Sequence, residues 1–258
     1  MRTSLEDVCT FVIPVRIDSK ERMRNLHMAV DWLSPLGAQI HILEADKEQQ
    51  VCPKDFTQPC VNIHYIKDEE PIFHRTHYIN RLLQMSTTPF VAVWDTDIII
   101  DHKQILYAVY HCLVEEGCTL AYPYDSRFIS LDEKLSQKFA SDGDIGYLNR
   151  RKLRSILDRP FCGGAYIVDK QKYNSIGGEN EFFVGWGPED AERLRRTQIM
   201  EHKVGWASDG CAYHLYHPRN ENSRFFNEET AVSTRREFVK VCSMNREELS
   251  EYIKTMPR

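Results

Sequence analysis

Three pairs of side chains in this 258-residue chain have the types and spacing to do chemistry. Asp95 and Asp97 stand one residue apart, between the apolar runs Phe90–Trp94 and Ile98–Ile100. Glu189 and Asp190 follow Gly185-Trp186-Gly187-Pro188, and His214 and His217 sit three apart before Pro218. An unpaired carboxylate costs more to bury than a strand gains, so the strand entering Asp95 is expected to end near Trp94. The two carboxylates then project from its C-terminal end, where open α/β sheets bind ligands. Hard oxygen ligands at such an edge suit a divalent cation that also holds substrate phosphates. A capping turn before the helix that follows Asp101 is the ordinary alternative for an Asp-x-Asp pair. Two histidines in a turning segment can share a cation with the carboxylates, and mixed Asp/His ligation favours Mn2+, with Mg2+ as the alternative. Zinc would call for further Cys or His at local spacing, and none is there.

The acidic pair at 189–190 has a structural reading and a chemical one. Acidic residues in the first turn of a helix beginning at Pro188 complement the helix dipole. The two glycines around Trp186 point further. They let backbone approach a ligand closely beside a large flat ring, a surface on which a sugar stacks. A helix N-terminus also keeps a carboxylate ionised, as a general base requires.

The elements that must position these groups follow from hydrophobic patterning. Residues 9–15, 39–44, 61–66 and 90–94 read as strands, and 21–33, 73–85 and 104–115 as helices, with a loop over 46–60. This β-α-β-β-α-β-α rhythm predicts an α/β fold with a mostly parallel central sheet and helices on its faces. Residues 131–158 read as helical with an exposed face. A strand follows Gly163-Gly164, and a short helix over 170–176 is closed by Gly177-Gly178. A helix runs from Pro188 to about Met200, 204–216 is strand-like, and amphipathic helices cover about 226–241 and 245–255. No repeat or linker interrupts the chain. One domain is expected over 1–258, with a nucleotide-binding half (1–125) and an acceptor-binding half (126–258) that ends in the C-terminal helices.

Composition is that of a globular protein, with 42% hydrophobic and 28% charged residues. A net charge of -5 and a pI near 6.1 argue against a nucleic-acid partner. No apolar run approaches the roughly 20 residues that span a bilayer, and Met1–Asp7 holds no signal core. Of the eight cysteines, no two have C-x-x-C spacing, and reduced thiols are expected, with no Cys52–Cys60 bridge.

Together the stretches Phe11-Val12-Ile13-Pro14-Val15-Arg16, Asp95-Thr96-Asp97, Phe161-Cys162-Gly163-Gly164, Gly185-Trp186-Gly187-Pro188-Glu189-Asp190 and the His-rich turn resemble a known pattern. The chain resembles the GT-A (Rossmann-like) glycosyltransferases, within them the group of β-1,4-galactosyltransferases, polypeptide N-acetylgalactosaminyltransferases and the bacterial chondroitin polymerase. The likeness covers nearly the whole chain, and Gly-Trp-Gly-x-Glu-Asp is its most specific part.

The resemblance implies roles. Pro14, Arg16 and Asp18 would hold the nucleotide, with Glu44 or Asp46 on uracil or ribose. Asp95 would bind ribose or the cation's water shell, and Asp97 the Mn2+ itself. Gly164, Trp186 and Gly187 would line the sugar pocket, Glu189 would hold the acceptor, and Asp190 would deprotonate the attacking hydroxyl. The galactosyltransferases ligate the metal through a Met and a His three apart. His214 and His217 match that spacing with His in the first place. Spacing favours His217, while Ala212-Tyr213-His214 matches the polymerase pattern.

The implied reaction is a single inverting displacement that moves a hexose or N-acetylhexosamine, galactose or N-acetylgalactosamine favoured, from a UDP-sugar to a glycan or glycolipid acceptor. The lack of a membrane anchor leads to the expectation of a bacterial cytoplasmic enzyme of surface-polysaccharide synthesis, with peripheral contact at the inner face of the membrane allowed. Two other readings compete. A nucleotidyltransferase would show a glycine-rich loop after the first strand, where this chain has Pro14-Val15-Arg16-Ile17-Asp18. A non-catalytic sugar-nucleotide-binding module would tolerate loss of Asp190.

Overall fold

The computed structural model describes residues 3–151, 153–155, 160–220, 222 and 224–257. Strands β1 (Cys9–Val15), β2 (Gln39–Asp46), β3 (Val61–Lys67) and β4 (Phe90–Trp94) alternate with α1 (Lys20–Leu33), between β1 and β2, and α2 (Arg75–Met85), between β3 and β4. β1 is buried along its whole length, as expected of a parallel strand covered on both faces. α1 starts where Ser19 accepts a hydrogen bond from the Arg22 amide, and it buries Leu26, Ala29, Val30 and Leu33 at helical spacing. It ends in a short 3-10 turn over Ser34–Leu36, and Gly37 closes that turn at φ 75°.

The remaining elements are β5 (Ile98–Ile99), α3 (His102–Tyr107), β6 (Leu120–Tyr122), β7 (Phe128–Ser130), α4 (Glu133–Asp142), α5 (Ile145–Arg150), β8 (Ala165–Asp169), α6 (Lys170–Ser175), α7 (Glu189–Ile199), β9 (Val204–Trp206), β10 (Ala212–His214), α8 (Glu228–Ser243) and α9 (Arg246–Ile253). The main sheet has the order β3-β2-β1-β4-β8-β6-β9. Only β8 runs against its neighbours β4 and β6. β6, β8 and β9 complete a sheet begun by the first four strands, so the sheet draws on both sides of residue 125. A second sheet, β5-β10-β7, carries a smaller apolar cluster around Ile99, Ile129, Tyr213 and Leu215.

Three expectations shift. The helix after Asp101 is α-helical only to Tyr107 and continues as π-helix over Ala108–Glu115. The strand-like run 204–216 is two strands in different sheets. The helical stretch 131–158 divides into α4 and α5 because Gly143, at φ 64°, closes the first; its residues 152 and 156–158 lie outside the described residues. Among the described residues, no helix is long and apolar enough to cross a membrane.

Candidate active site

β4 ends at Trp94, and the chain turns at once. The Trp94 indole N–H donates to the Ile98 carbonyl (2.9 Å), and the Asp95 amide donates to the Gly164 carbonyl (2.8 Å). Asp95 and Asp97 are therefore presented from a braced loop. Asp101, not either of them, caps α3, so the capping alternative fails. Antiparallel pairing of β5 with β10 sets His214 opposite Ile98, and the Leu215 amide donates to the Asp97 carbonyl (2.8 Å). The small sheet thus carries the histidine turn to the carboxylate.

Asp97 is buried, with its Oδ2 3.1 Å from His217 Nε2 and its Oδ1 3.6 Å from His214 Nε2. One ligand atom from each of the three residues falls within 4.8 Å of the others. His217 Nδ1 faces the Pro218 carbonyl at 2.8 Å and donates to it, which turns Nε2 toward Asp97. Burial opposes ionisation of Asp97, but His214, His217 and Arg22 outweigh it and hold the carboxyl below its usual range. Burial lowers His214, whereas the hydrogen bond to Asp97 overrides burial and raises His217. Two imidazole nitrogens and a carboxylate this close together could hold a divalent cation, and both histidines lie within reach of it.

Beside this cluster lies a cleft of about 590 Å3 lined by Arg16, Asp18 and Asp46 from the sheet edge and by Arg219, Asn220 and Arg224 from the segment after the histidines. Asp18 joins the two walls. It accepts from Arg22 Nε (3.1 Å) and Asn222 Nδ2 (3.2 Å), while Asn220 Nδ2 donates to its carbonyl (3.1 Å).

Two residues expected at the nucleotide lie buried in the sheet. Glu44 is fully buried and accepts from the Gln50 and Val51 amides, so its carboxylate braces the loop whose Gln50 lines the cleft. Pro14 is buried inside β1 opposite Leu43. β4 pairs only with Cys9–Val12, so the missing N–H of Pro14 falls beyond β4, and a proline is tolerated there. Arg16 lines the cleft but spends most of its donors on the Ala45 and Glu70 carbonyls and on Asp68.

On the other side of the loop, α7 begins at Glu189, with Pro188 as the residue before it. Asp190 Oδ1 accepts from Arg193 Nη1 (2.7 Å), one helical turn on. A Cβ at residue 163 would collide with Asp190 Oδ2, so Gly163 leaves the space that Asp190 occupies. Gly164, expected in the sugar pocket, is instead buried at φ 79°, under Ile98 and Phe128, where it supports the Asp95–Asp97 loop. Gly187 clears room for Thr234 of α8. Trp186 is 48% exposed and meets Phe225 edge-on.

Arg75, absent from the sequence-based set, donates to Asp95 Oδ1 through Nη2 (2.6 Å). Its Nη1 and Glu189 Oε2 are buried without a hydrogen-bond partner among the described residues, and both side chains line a pocket of about 60 Å3 with Trp186. Burial, with Asp190 adding to it, pushes the Glu189 carboxyl up to about 8. Nothing local in the sequence joins Arg75 to Asp95. Arg193, by contrast, was legible as the i+3 partner of Asp190 on one helix face.

With this geometry in hand, relatives can be compared. A sequence profile described as the N-terminal domain of galactosyltransferase matches residues 154–218, the stretch that holds Glu189, Asp190 and both histidines. No curated protein matches the sequence. Solved structures similar in fold include a Drosophila β-1,4-galactosyltransferase 7 variant in complex with manganese, UDP-Gal and xylobiose, with TM-score 0.53 and 16% identity over 86% of this chain and 78% of that one. Another is GalNAc-T7 with UDP, GalNAc and Mn2+ (TM-score 0.60, 12% identity, 95% of this chain); this chain spans 49% of it, about half its length. A third is glucosyl-3-phosphoglycerate synthase of Mycobacterium tuberculosis with Mn2+, UDP and phosphoglyceric acid (TM-score 0.54, 14% identity, 92% and 79%). The chain has the GT-A glycosyltransferase fold.

Proposed function

We propose that the protein is a metal-dependent, inverting glycosyltransferase that moves a hexose or N-acetylhexosamine, with galactose or N-acetylgalactosamine favoured, from a UDP-sugar to a glycan acceptor. The observation that carries this reading is the convergence of Asp97, His214 and His217 at the C-terminal end of β4, beside the cleft lined by Arg16, Asp18 and Asp46.

Asp97, His214 and His217 would hold Mn2+, which when bound supplies charge neutralisation for the leaving diphosphate. Asp18, Asp46, Arg219, Asn220 and Arg224 line the cleft for the nucleotide. Arg75, fixed by Asp95, directs its unpaired Nη1 toward the small pocket where the transferred sugar would lie. Asp190 is the base: its Oδ2 accepts the acceptor's hydroxyl proton while Arg193 holds Oδ1. Trp186 offers its exposed face to a sugar ring. A nucleotidyltransferase is disfavoured because no glycine-rich anion loop follows β1.

Calorimetric titration with UDP in the presence and absence of Mn2+, beside mass-spectrometric screening of UDP-sugar hydrolysis, tests the reading. Wild type should bind UDP only with the cation, and Asp97→Ala should lose that binding. Equal UDP binding in excess chelator, or full turnover by Asp97→Ala, would overturn it.

A further inference from the structure

A second depression, about 790 Å3 and open to solvent, runs along α8 between Phe182 and the stripe Glu229, Val232, Ser233, Arg236 and Lys240. It is set apart from the metal edge but adjoins the site just described. Gly187 packs on Thr234, the α8 residue next to Ser233, so the loop that carries Trp186 rests on the helix that lines the depression. Phe182 lies four residues before Trp186, a span of at most ~14 Å even in extended chain. The same loop therefore exposes two aromatic rings, while its Phe183 is fully buried.

The floor beneath Phe182 is built rather than loose. Asn180 accepts from the Phe182 amide (3.0 Å) and donates to Glu237 (2.7 Å). Glu237 also accepts from the Tyr252 hydroxyl (2.7 Å), and the Tyr252 ring stacks with Phe182 on one side and carries the Lys240 ammonium 3.9 Å from its centroid. An aromatic held this firmly, with its other face in water, is a preorganised platform. The wall opposite it carries carboxylates and cations in near balance, Glu228, Glu229 and Glu237 against Arg236 and Lys240. Such a rim, with one carboxylate more than it has cations, offers hydrogen bonds of both senses and little net charge, which suits a neutral polyhydroxyl chain and not a polyanion.

We infer that the α8 groove is an extended acceptor subsite, binding the sugars of a neutral oligosaccharide that lie beyond the residue placed at Trp186. The inference rests on the glycosyltransferase reading for what the chain does with that oligosaccharide, but the groove's binding can be read separately.

The test probes wild type, Phe182→Ala and Val232→Glu, each with UDP and Mn2+, against a printed array of defined neutral oligosaccharides from one to six sugars. Calorimetric UDP–Mn2+ titration of the same preparations runs beside it. Wild type should retain chains of three or more sugars better than their mono- and disaccharide fragments. Both variants should lose about tenfold of that retention, the scale of one stacking contact, while their UDP–Mn2+ affinity stays at the wild-type value. Absence of retention of any neutral chain by wild type, or retention independent of length, or variants that bind like wild type, would overturn the groove. Failure of wild type to bind UDP–Mn2+ would instead overturn the proposed function, whatever the array shows.

Discussion

Two clusters of buried charge lie on opposite sides of the Asp95–Asp97 loop, and they are finished to different degrees. In the α7 cluster Glu179, Glu192, Arg193 and Arg196 all have their counterparts. Glu179 accepts from the hydroxyls of Tyr166 (2.6 Å) and Tyr173 (2.5 Å) and from Arg193 Nε (2.8 Å) and Nη2 (2.9 Å). Burial alone would raise the Glu179 carboxyl, but Arg193 and the two phenols hold it at about 2. Arg196 is likewise consumed by Glu192 and by the Ile176 and Gly178 carbonyls. In the metal-edge cluster a carboxylate and two imidazole nitrogens converge, one imidazole turned inward by its bond to Pro218 and hydrogen-bonded to Asp97. Saturated buried charge is scaffold, because its partners already cover the cost of desolvation. A carboxylate and two imidazoles gathered at one edge, with Arg22 alongside, are groups that a divalent cation can take up.

Asp190 stands between the two descriptions, since Oδ1 is tied to Arg193 while Oδ2 lies against Gly163 without a side-chain donor among the described residues. The sharpest break in the comparison is therefore Asp190→Asn. It should lower transfer by about 10²–10⁴-fold, the usual contribution of a general base, with UDP–Mn2+ affinity unchanged. A paired transfer assay and calorimetric titration read this, and a variant keeping most of its rate would make Asp190 scaffold only. Next in size is Arg193→Leu, which strands Glu179 in the core. Breaking a buried pair in this way typically costs about 3–5 kcal/mol, so the urea midpoint should collapse. An unchanged midpoint would mean that Glu179 escapes to solvent or to a proton.

How much of this was legible in the sequence depends on range. The buried strands β1 and β4 and the amphipathic α1 and α2 are written in local periodicity. The residue types of the metal edge are likewise visible as Asp97, His214 and His217. Their convergence is not, because it depends on the pairing of the two-residue strand β5 with the three-residue β10, too short for any period to register. Arg75 and Asp95 are joined only by tertiary packing, with α2 lying on β1, the sheet neighbour of β4. Glu44 misled for a related reason. A carboxylate at the end of β2 reads as a ligand contact until the returning loop supplies the Gln50 and Val51 amides that claim it.

The two histidines sharpen the contrast within the open cluster. His217 approaches Asp97 more closely and has its far nitrogen anchored. His217→Ala should weaken Mn2+ binding by about 10–100-fold, the range seen when even an outer partner of a metal ligand is removed. His214→Ala should cost less. Manganese titrations followed by electron paramagnetic resonance give both factors. Equal losses would show equivalent ligation, and no loss in either would remove the turn from the site.

The smallest effect concerns Glu189, where an unsatisfied carboxyl oxygen sits inside the otherwise saturated half. Burial and the neighbouring Asp190 raise this group from 4.5 to about 8, against the pull of Arg75. The unfolded chain gives up the proton at the ordinary value, while the folded chain keeps it to the higher one. Folding stability contributed by the neutral carboxyl is therefore fully present below about pH 4.5 and is lost as pH rises through about 8. The slope cannot exceed about 1.4 kcal/mol per pH unit, one proton's worth. Glu189→Gln keeps the shape and removes the proton, so its stability should be flatter across this window. The difference in Tm between the two proteins, recorded from pH 5 to 9, should move steadily in favour of the glutamine variant as pH rises. Parallel Tm curves would mean that Glu189 titrates as it does in water and that its oxygen is reached by solvent, which would place it with the open cluster.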